Sequence, residues 1–392
     1  MSDRPFTIFD ITEYFGETSG GVRTYLREKS AYVERHPALA QVVVVPGARD
    51  AVSVTGRISR HEVGVPYIPG QRPYRAMIAP GRVRAALERA RPDVVEIGSS
   101  HAVPWLVRRP ARRLGIPTLW FYHGHLLRVV APRLDRDSPH RRLALEAAGR
   151  YVRRIARGVR ATLVASDAVR ADLERFGVER IVRVPLGVDT GTFDPSRRAR
   201  RAEVRRRHGL EDGPLALYTG RFTTEKELDV AIDGWKRLRH RDATLLLVGA
   251  GPLGDRLTAR ARGSRIRVLP FEHDREALAD LYAAADFYLA PGPAETFGLS
   301  AHEAMASGTP VLSVNQGGVA EQVERAGCGA LYPIGDAAAL AEAADRLLDG
   351  DRLALGARAR AYIEAHHRWE MVFDRLFRIY RDTASGRDLA PA

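Results

Sequence analysis

Short apolar runs punctuate the chain, and between them apolar residues recur at helical spacing. Residues 6–11, 41–45, 94–97, 117–122, 161–165, 215–219, 244–248, 266–269 and 287–290 are predominantly apolar stretches of strand length, bounded by Gly, Pro or polar clusters. Runs of this kind read as strands buried on both faces. Helical periodicity covers 82–90, 103–114 and 140–160, and a final stripe of Trp369, Phe373, Leu376 and Tyr380 ends before Gly386. Strand alternating with helix predicts parallel sheets covered on both faces, the doubly wound α/β class. Residues 47–81, rich in Gly, Pro, Arg and Tyr, lack such a period and predict irregular or short-strand structure.

With 392 residues, 45% of them apolar, the chain exceeds the usual size of one core and predicts two domains. The pattern breaks at Val184-Pro-Leu-Gly-Val-Asp189, so the boundary is drawn there: a first domain over 1–188 and a second over 189–368. No apolar run reaches the length of a membrane span, and no basic segment followed by an apolar one opens the chain. The single Cys328 excludes an internal disulfide and a cysteine-based zinc site. Together these predict a cytoplasmic protein. A net charge of +13 changes the picture, because it calls for an anionic partner: nucleic acid, an acidic membrane surface or a phosphorylated ligand. Neither a nucleic-acid module nor aromatic-basic interleaving is present, which disfavours the first. Lys29, Lys226 and Lys236 are the only Lys among 61 basic residues, so a Lys inside a motif stands out against a default of Arg.

Candidate chemistry concentrates in 291–312, where a Gly/Pro-rich loop and a short helix lie between two apolar runs. The helix is expected to start at Ser300 and to stop at Gly308. At its start the N–H groups of Phe297, Gly298 and Leu299 would face the loop, and a helix N-terminus holds anions such as phosphate. Glu295 and Glu303 are acceptors suited to the diols of sugars and ribose. Equally, Ser300-Ala-His-Glu303 fits a capping box and Glu295 a solvated loop carboxylate. Gly220-Arg-Phe-Thr-Thr-Glu-Lys226 follows a strand, and Arg221 and Lys226 could clamp two phosphates or remain inert turn cations. Gly20-Gly21 after the first strand is a phosphate-approach geometry or an ordinary turn. His123 stands where the strand 117–122 leaves its sheet, with His125 as the substitute; a structural histidine is the other reading. The helix 140–160, striped with Leu143, Ala147, Tyr151 and Ile155, and the Arg-rich 197–208 are solvated faces or contacts with anionic lipid.

Glu295 and Glu303, with seven residues between them and flanked by Phe-Gly-Leu and Glu-Ala-Met-Ala-Ser-Gly-Thr-Pro-Val, resemble the E-x7-E signature of the retaining glycosyltransferases of family 4. Gly20-Gly21-Val22, His123, the P-x-G-V-D segment at Pro185–Asp189, Arg221/Lys226, Val248-Gly-Ala-Gly-Pro252 and Asn315–Glu321 are similar to further segments of that family. Phe222-Thr-Thr departs from the family's usual small or apolar residues. The resemblance implies a GT-B architecture, two Rossmann-like doubly wound domains facing a central cleft, with a final helix (about 369–386) packing back on the first. It implies that the first domain binds the acceptor and the second the nucleotide sugar. By the same resemblance His123 contacts the transferred sugar, Glu295 its hydroxyls and Glu303 the ribose. Arg221 and Lys226 would neutralise the diphosphate, which Gly20 and Gly21 lie against, and 266–271 would face the base through backbone groups.

The resemblance implies retention at the anomeric carbon, and with it the sequence predicts a metal-independent transferase moving a hexose-type unit from a UDP- or GDP-sugar to a hydroxyl acceptor. No cofactor or metal is expected, and Asp135-Arg-Asp137 reads as a surface element. A basic first domain points to an anionic or lipid-linked acceptor and to the inner face of a membrane. The competing enzyme reading is a nucleotide-sugar epimerase or a phosphorylase-like enzyme on the same architecture.

Overall fold

Buried apolar strands form the middle of two separate sheets, one in each of two units: Met1–Pro185 with Glu370–Ala392, and Leu186–Trp369. The computed structural model describes residues 4–16, 20–69, 74–124, 126, 139–210 and 213–389. His125 and Asp135-Arg-Asp137 lie outside the described residues.

The first unit runs β1 (Phe6–Ile11), α1 (Gly21–Arg35), β2 (Leu39–Gly47), β3 (Ala51–Thr55), β4 (Ile58–Gly64), α2 (Pro80–Ala90), β5 (Val94–Ile97), α3 (Val103–Arg113), β6 (Thr118–Phe121), α4 (Pro139–Ala156), β7 (Ala161–Val164), α5 (Asp167–Arg175) and β8 (Ile181–Arg183). Among the described residues its sheet has the order β3-β4-β2-β1-β5-β6-β7-β8, parallel except for β3 against β4. Chain order reverses between β1 and β5, a switch point at which open α/β sheets bind ligands.

Of the two expectations for 47–81, irregular or short-strand structure, the hairpin β3/β4 realises the second over 51–64. All five residues of β3 are exposed, so no buried face imposes a period on them, and Gly56 turns the hairpin with φ +52°. α4 needs a correction in its first half. Leu143 and Ala147 point to solvent, while Ala148 packs on the core beside buried Val152 and Ala156. Tyr151 and Ile155 of the predicted stripe do seat on the core, so the stripe holds only in the second half of the helix.

The second unit contains α6 (Arg201–Arg207), β9 (Leu215–Arg221), α7 (Leu228–Trp235), β10 (Thr244–Ala250), α8 (Gly254–Ala261), β11 (Ile266–Leu269), α9 (Arg275–Ala284), β12 (Phe287–Ala290), α10 (Leu299–Ala306), β13 (Val311–Val314), α11 (Gly318–Ala326), β14 (Gly329–Tyr332), α12 (Ala337–Asp349) and α13 (Arg352–His366). Its described strands are all parallel, in the order β11-β10-β9-β12-β13-β14. Here β9 and β12 flank the switch point.

The Arg-rich stretch before β9 is a solvated face only in part, with Arg200, Arg206 and Arg207 exposed. It folds as a 3-10 turn (Pro195–Arg200) followed by α6, and its other cations include three that tie inward. Arg197 reaches Asp280 at 2.8 Å, and Arg201 and Arg205 each reach Asp286 at 2.8 Å. Asp286 is buried, and burial by itself would raise its carboxyl. The Arg201 hydrogen bond and charge, with Arg205, hold it below the usual carboxylate range instead.

The last helix, α14 (Trp369–Ala384), packs from Glu370 onward within the first unit. Its Tyr380 hydroxyl is 2.6 Å from the Lys29 ammonium and its Asp374 accepts from the Tyr32 hydroxyl at 2.6 Å, both on α1.

Candidate active site

Every residue of the sequence-predicted phosphate and sugar set that lies in the second unit gathers at the carboxyl ends of β9 and β12. Arg221 closes β9, and a 3-10 turn (Thr224–Lys226) brings Lys226 round to the loop that follows β12. The Lys226 ammonium donates to Glu295 Oε1. Gly292 makes the approach feasible, since a Cβ there would sit 3.2 Å from the carbonyl of Glu225 and 3.3 Å from Cα of Lys226. Arg221, half exposed, pairs with Glu225 at 3.2 Å.

The glycines of 248–252 serve packing. A Cβ on Gly249 would meet the carbonyl of Gly220 at 1.9 Å, and one on Gly251 the carbonyl of Phe222 at 2.4 Å. Phe222 is buried beneath that turn, which accounts for the large apolar residue between the two cations.

Helix α10 starts at Leu299, with Gly298 as its N-cap at φ +84° and no side-chain cap. The capping-box reading therefore fails: Ser300 lies inside the first turn, and Glu303 accepts from the Tyr282 hydroxyl at 3.1 Å. That hydroxyl is also 2.6 Å from Thr219 Oγ1, so Glu303 is tied through α9 to the end of β9. The Tyr282 phenol is pushed well above its ordinary value by burial and then by the Glu303 charge, so it stays a donor. At the helix start the amides without an intrahelical partner belong to Gly298, Leu299, Ser300 and Ala301, one residue beyond the sequence expectation. Phe297 turns inward and stacks on His302 with ring centroids 3.8 Å apart. Gly318 donates to the carbonyl of Glu295 at 2.9 Å, and Gly318 is obligatory because a Cβ would strike the carbonyl of Thr296 at 2.3 Å.

Lys226, Glu295, Gly298, Ser300, Tyr218 and Tyr288 line a recess of about 10 Å³, room for roughly one water. An ammonium has three donors, so Lys226 can hold Glu295 and still reach an anion.

In the first unit Gly20 is the N-cap of α1, and a Cβ there would meet nothing within 4 Å. The protein's own packing does not require that glycine. His123 follows β6, stacks on Phe121 at 4.1 Å and meets Tyr25 at 5.0 Å. Burial, then the Lys29 charge, lowers its pKa to about 3, so the imidazole is neutral.

Sequence reasoning missed Thr219 and Tyr282, whose types give no local signal. It also missed an ionic group formed by Asp10, Lys29 and Glu96, which had one: a carboxylate inside each of the apolar strands Phe6–Ile11 and Val94–Ile97.

Two parallel-sheet units, with paired cations facing carboxylates at a switch point, define the class of group-transfer proteins with the GT-B fold. Sucrose-phosphate synthase from Thermosynechococcus elongatus superposes with a TM-score of 0.78 at 23% identity, over 97% of this chain and 99% of that one. Residues 19–192 match the family described as Glycosyltransferase Family 4, and residues 213–350 that described as Glycosyl transferases group 1. The GDP-mannose-dependent alpha-(1-6)-phosphatidylinositol dimannoside mannosyltransferase of Mycobacterium tuberculosis is 36% identical over 313 residues, 78% of each chain. D-inositol 3-phosphate glycosyltransferase 1 of Catenulispora acidiphila is 34% identical over 313 residues, 73% of this chain and 72% of that one. The chain belongs to glycosyltransferase family 4 and is a glycosyltransferase.

Proposed function

We propose that this glycosyltransferase moves a mannosyl unit from GDP-mannose, with retention and without a metal, to a hydroxyl of a phosphorylated inositol acceptor borne on a membrane lipid. The observation that carries the donor half is the Lys226–Glu295 contact beside Arg221 and the start of α10. When the sugar–phosphate bond breaks, negative charge grows on the departing diphosphate, and groups that meet it there accelerate transfer. Lys226, Arg221 and the leading amides of α10 supply that positive potential. Glu295 takes hydroxyls of the sugar, and Glu303, held by Tyr282, takes the ribose diol. His123, neutral, hydrogen-bonds the transferred sugar, and Gly20 and Gly21 lie against the diphosphate. These roles follow the family resemblance.

Mannose, guanine and inositol are supported by the names of the two relatives, one a GDP-mannose-dependent phosphatidylinositol dimannoside mannosyltransferase and the other a D-inositol 3-phosphate glycosyltransferase. A lipid-borne acceptor fits the charge distribution. The first unit has 36 Lys and Arg against 22 Asp and Glu, and the second has 25 against 26. The net positive charge thus sits on the unit assigned to the acceptor. A thermal-shift panel of GDP-, UDP- and ADP-sugars tests the donor, since a ligand of the folded state raises its stability by mass action. GDP-mannose is expected to give the largest shift, and an equal response to all three overturns the donor assignment. Product analysis with phosphatidylinositol and with free inositol phosphate, with and without EDTA, tests the rest: an α-linked lipid product unaffected by EDTA is expected.

A further inference from the structure

Beneath His123 the first unit contains a sealed ionic cluster that the transfer reaction described above does not use. Lys29, in the middle of α1, is fully buried. Its ammonium lies 2.6 Å from Asp10 Oδ1, 3.1 Å from Glu96 Oε1 and 2.6 Å from the Tyr380 hydroxyl, which uses all three donors. Asp10 and Glu96 are direct register partners on β1 and β5, the strands of the first switch point. Like charges so placed repel, and Lys29 between them is what allows both in one apolar sheet. A compact ammonium fits this space, and a Lys stands here in a chain whose default cation is Arg.

Glu96 accepts from Lys29, from the Tyr25 hydroxyl at 3.0 Å to each oxygen, and from the Tyr380 hydroxyl. Three donors and no acceptor among the described contacts is the environment of an ionised carboxylate. Protonation would turn one oxygen into a donor, which Lys29 cannot accept, so a phenol that now donates must turn its hydroxyl to accept and lose its present contact with the carboxylate. Tyr25 is the phenol whose ring meets His123. Burial chiefly, with Asp10, raises Glu96 to about 7, although Lys29 and Tyr380 oppose the rise. The titratable groups facing Glu96 are Asp10 from β1, Tyr25 and Lys29 from α1 and Tyr380 from α14, with His123 after β6 behind Tyr25.

We propose that Lys29, Asp10 and Glu96 form a positioning cluster for glycosyl transfer, which holds α1 and, through Tyr25, the His123 ring in the working arrangement while Glu96 is ionised. A proton taken up at Glu96 displaces Tyr25 and slows turnover. The inference rests on the reading of His123 as a ligand-contacting residue.

The test is the pH dependence of kcat and KM with GDP-mannose, from pH 5.5 to 8.5, in the full chain. Wild type is expected to lose kcat as pH falls through about 7. Glu96→Gln, which mimics the protonated carboxyl, is expected to keep the fold, lose that inflection and run at the level of the wild-type acid limb at every pH, with KM for the donor within about twofold. Tyr380→Phe removes a hydrogen bond that favours ionised Glu96 and is expected to shift the inflection upward. A merely structural cluster would lower the yield of folded protein and leave the profile in place. A Glu96→Gln profile that keeps the wild-type inflection overturns the proposal. Failure of the underlying reading looks different: His123→Ala would then retain full activity, whereas a dead His123→Ala beside an unaltered Glu96→Gln profile condemns the cluster's role alone.

Discussion

Gly298 shows how much one position decides. Its φ of +84° is a region that side-chain-bearing residues avoid, and a Cβ there would lie 2.2 Å from Val319 Cγ2. Gly298→Ala should therefore cost about 1–3 kcal/mol in urea unfolding, from strain and from the displaced α11 together. It should also weaken donor binding, because the start of α10 moves. An unchanged unfolding midpoint would show that the backbone there accommodates a methyl group. Glu303 makes the complementary point. The pattern Ser300-x-x-Glu303 fitted a cap equally well, and only the buried Tyr282 hydroxyl from a helix some twenty residues away reveals what holds it. Partners that distant in sequence leave no local mark, whereas the E-x7-E spacing and the Arg221/Lys226 pair were legible because their chemistry is carried by residue type.

At the scale of elements, the strand-and-helix alternation was legible wherever strands are buried on both faces, as in β5, β10 and β12. It left β3 undecided between irregular and short-strand structure, since its exposed residues have no period to read, and it misplaced the first half of α4, where Ala and Leu alternate too evenly to fix a face. The Arg-rich segment before β9 was misread in part for another reason: charge composition cannot distinguish a solvated face from one whose partners come from α9 and from Asp286 ahead of β12. Asp286 is the hub there, meeting Arg201, Arg205 and, at 3.5 Å, Arg352. Asp286→Ala leaves buried Arg205 without its counter-ion and should cost about 3–5 kcal/mol by urea denaturation. The pH dependence has a definite sign. With its folded pKa depressed, Asp286 stabilises the fold above the unfolded carboxylate value near 4 and ceases to as pH falls below it. The variant should lack that share of the acid loss, and a stability difference constant down to pH 2 would exclude the mechanism.

At the scale of the whole molecule the two units differ in charge. The strongly basic first unit and the nearly neutral second cannot be read from the +13 total, which only a boundary near Leu186 resolves into its parts. Among the described residues no helix is long and apolar enough to cross a membrane. The net charge of the first unit would attract the anionic lipid surface proposed above, screened within about 8 Å at physiological salt. Co-sedimentation with phosphatidylinositol-containing vesicles should be strong at low salt and lost at about 0.5 M salt, with neutral phosphatidylcholine vesicles inert. Binding indifferent to salt would mean that charge is not the attraction. In the second unit a departing diphosphate is proposed to meet fixed cations, and the most direct test is the turnover of Lys226→Ala with GDP-mannose and a phosphatidylinositol acceptor. A loss in kcat of about 10²-fold or more with an unchanged melting temperature is the result expected of a group that meets developing charge. Turnover within a few-fold of wild type would contradict the account.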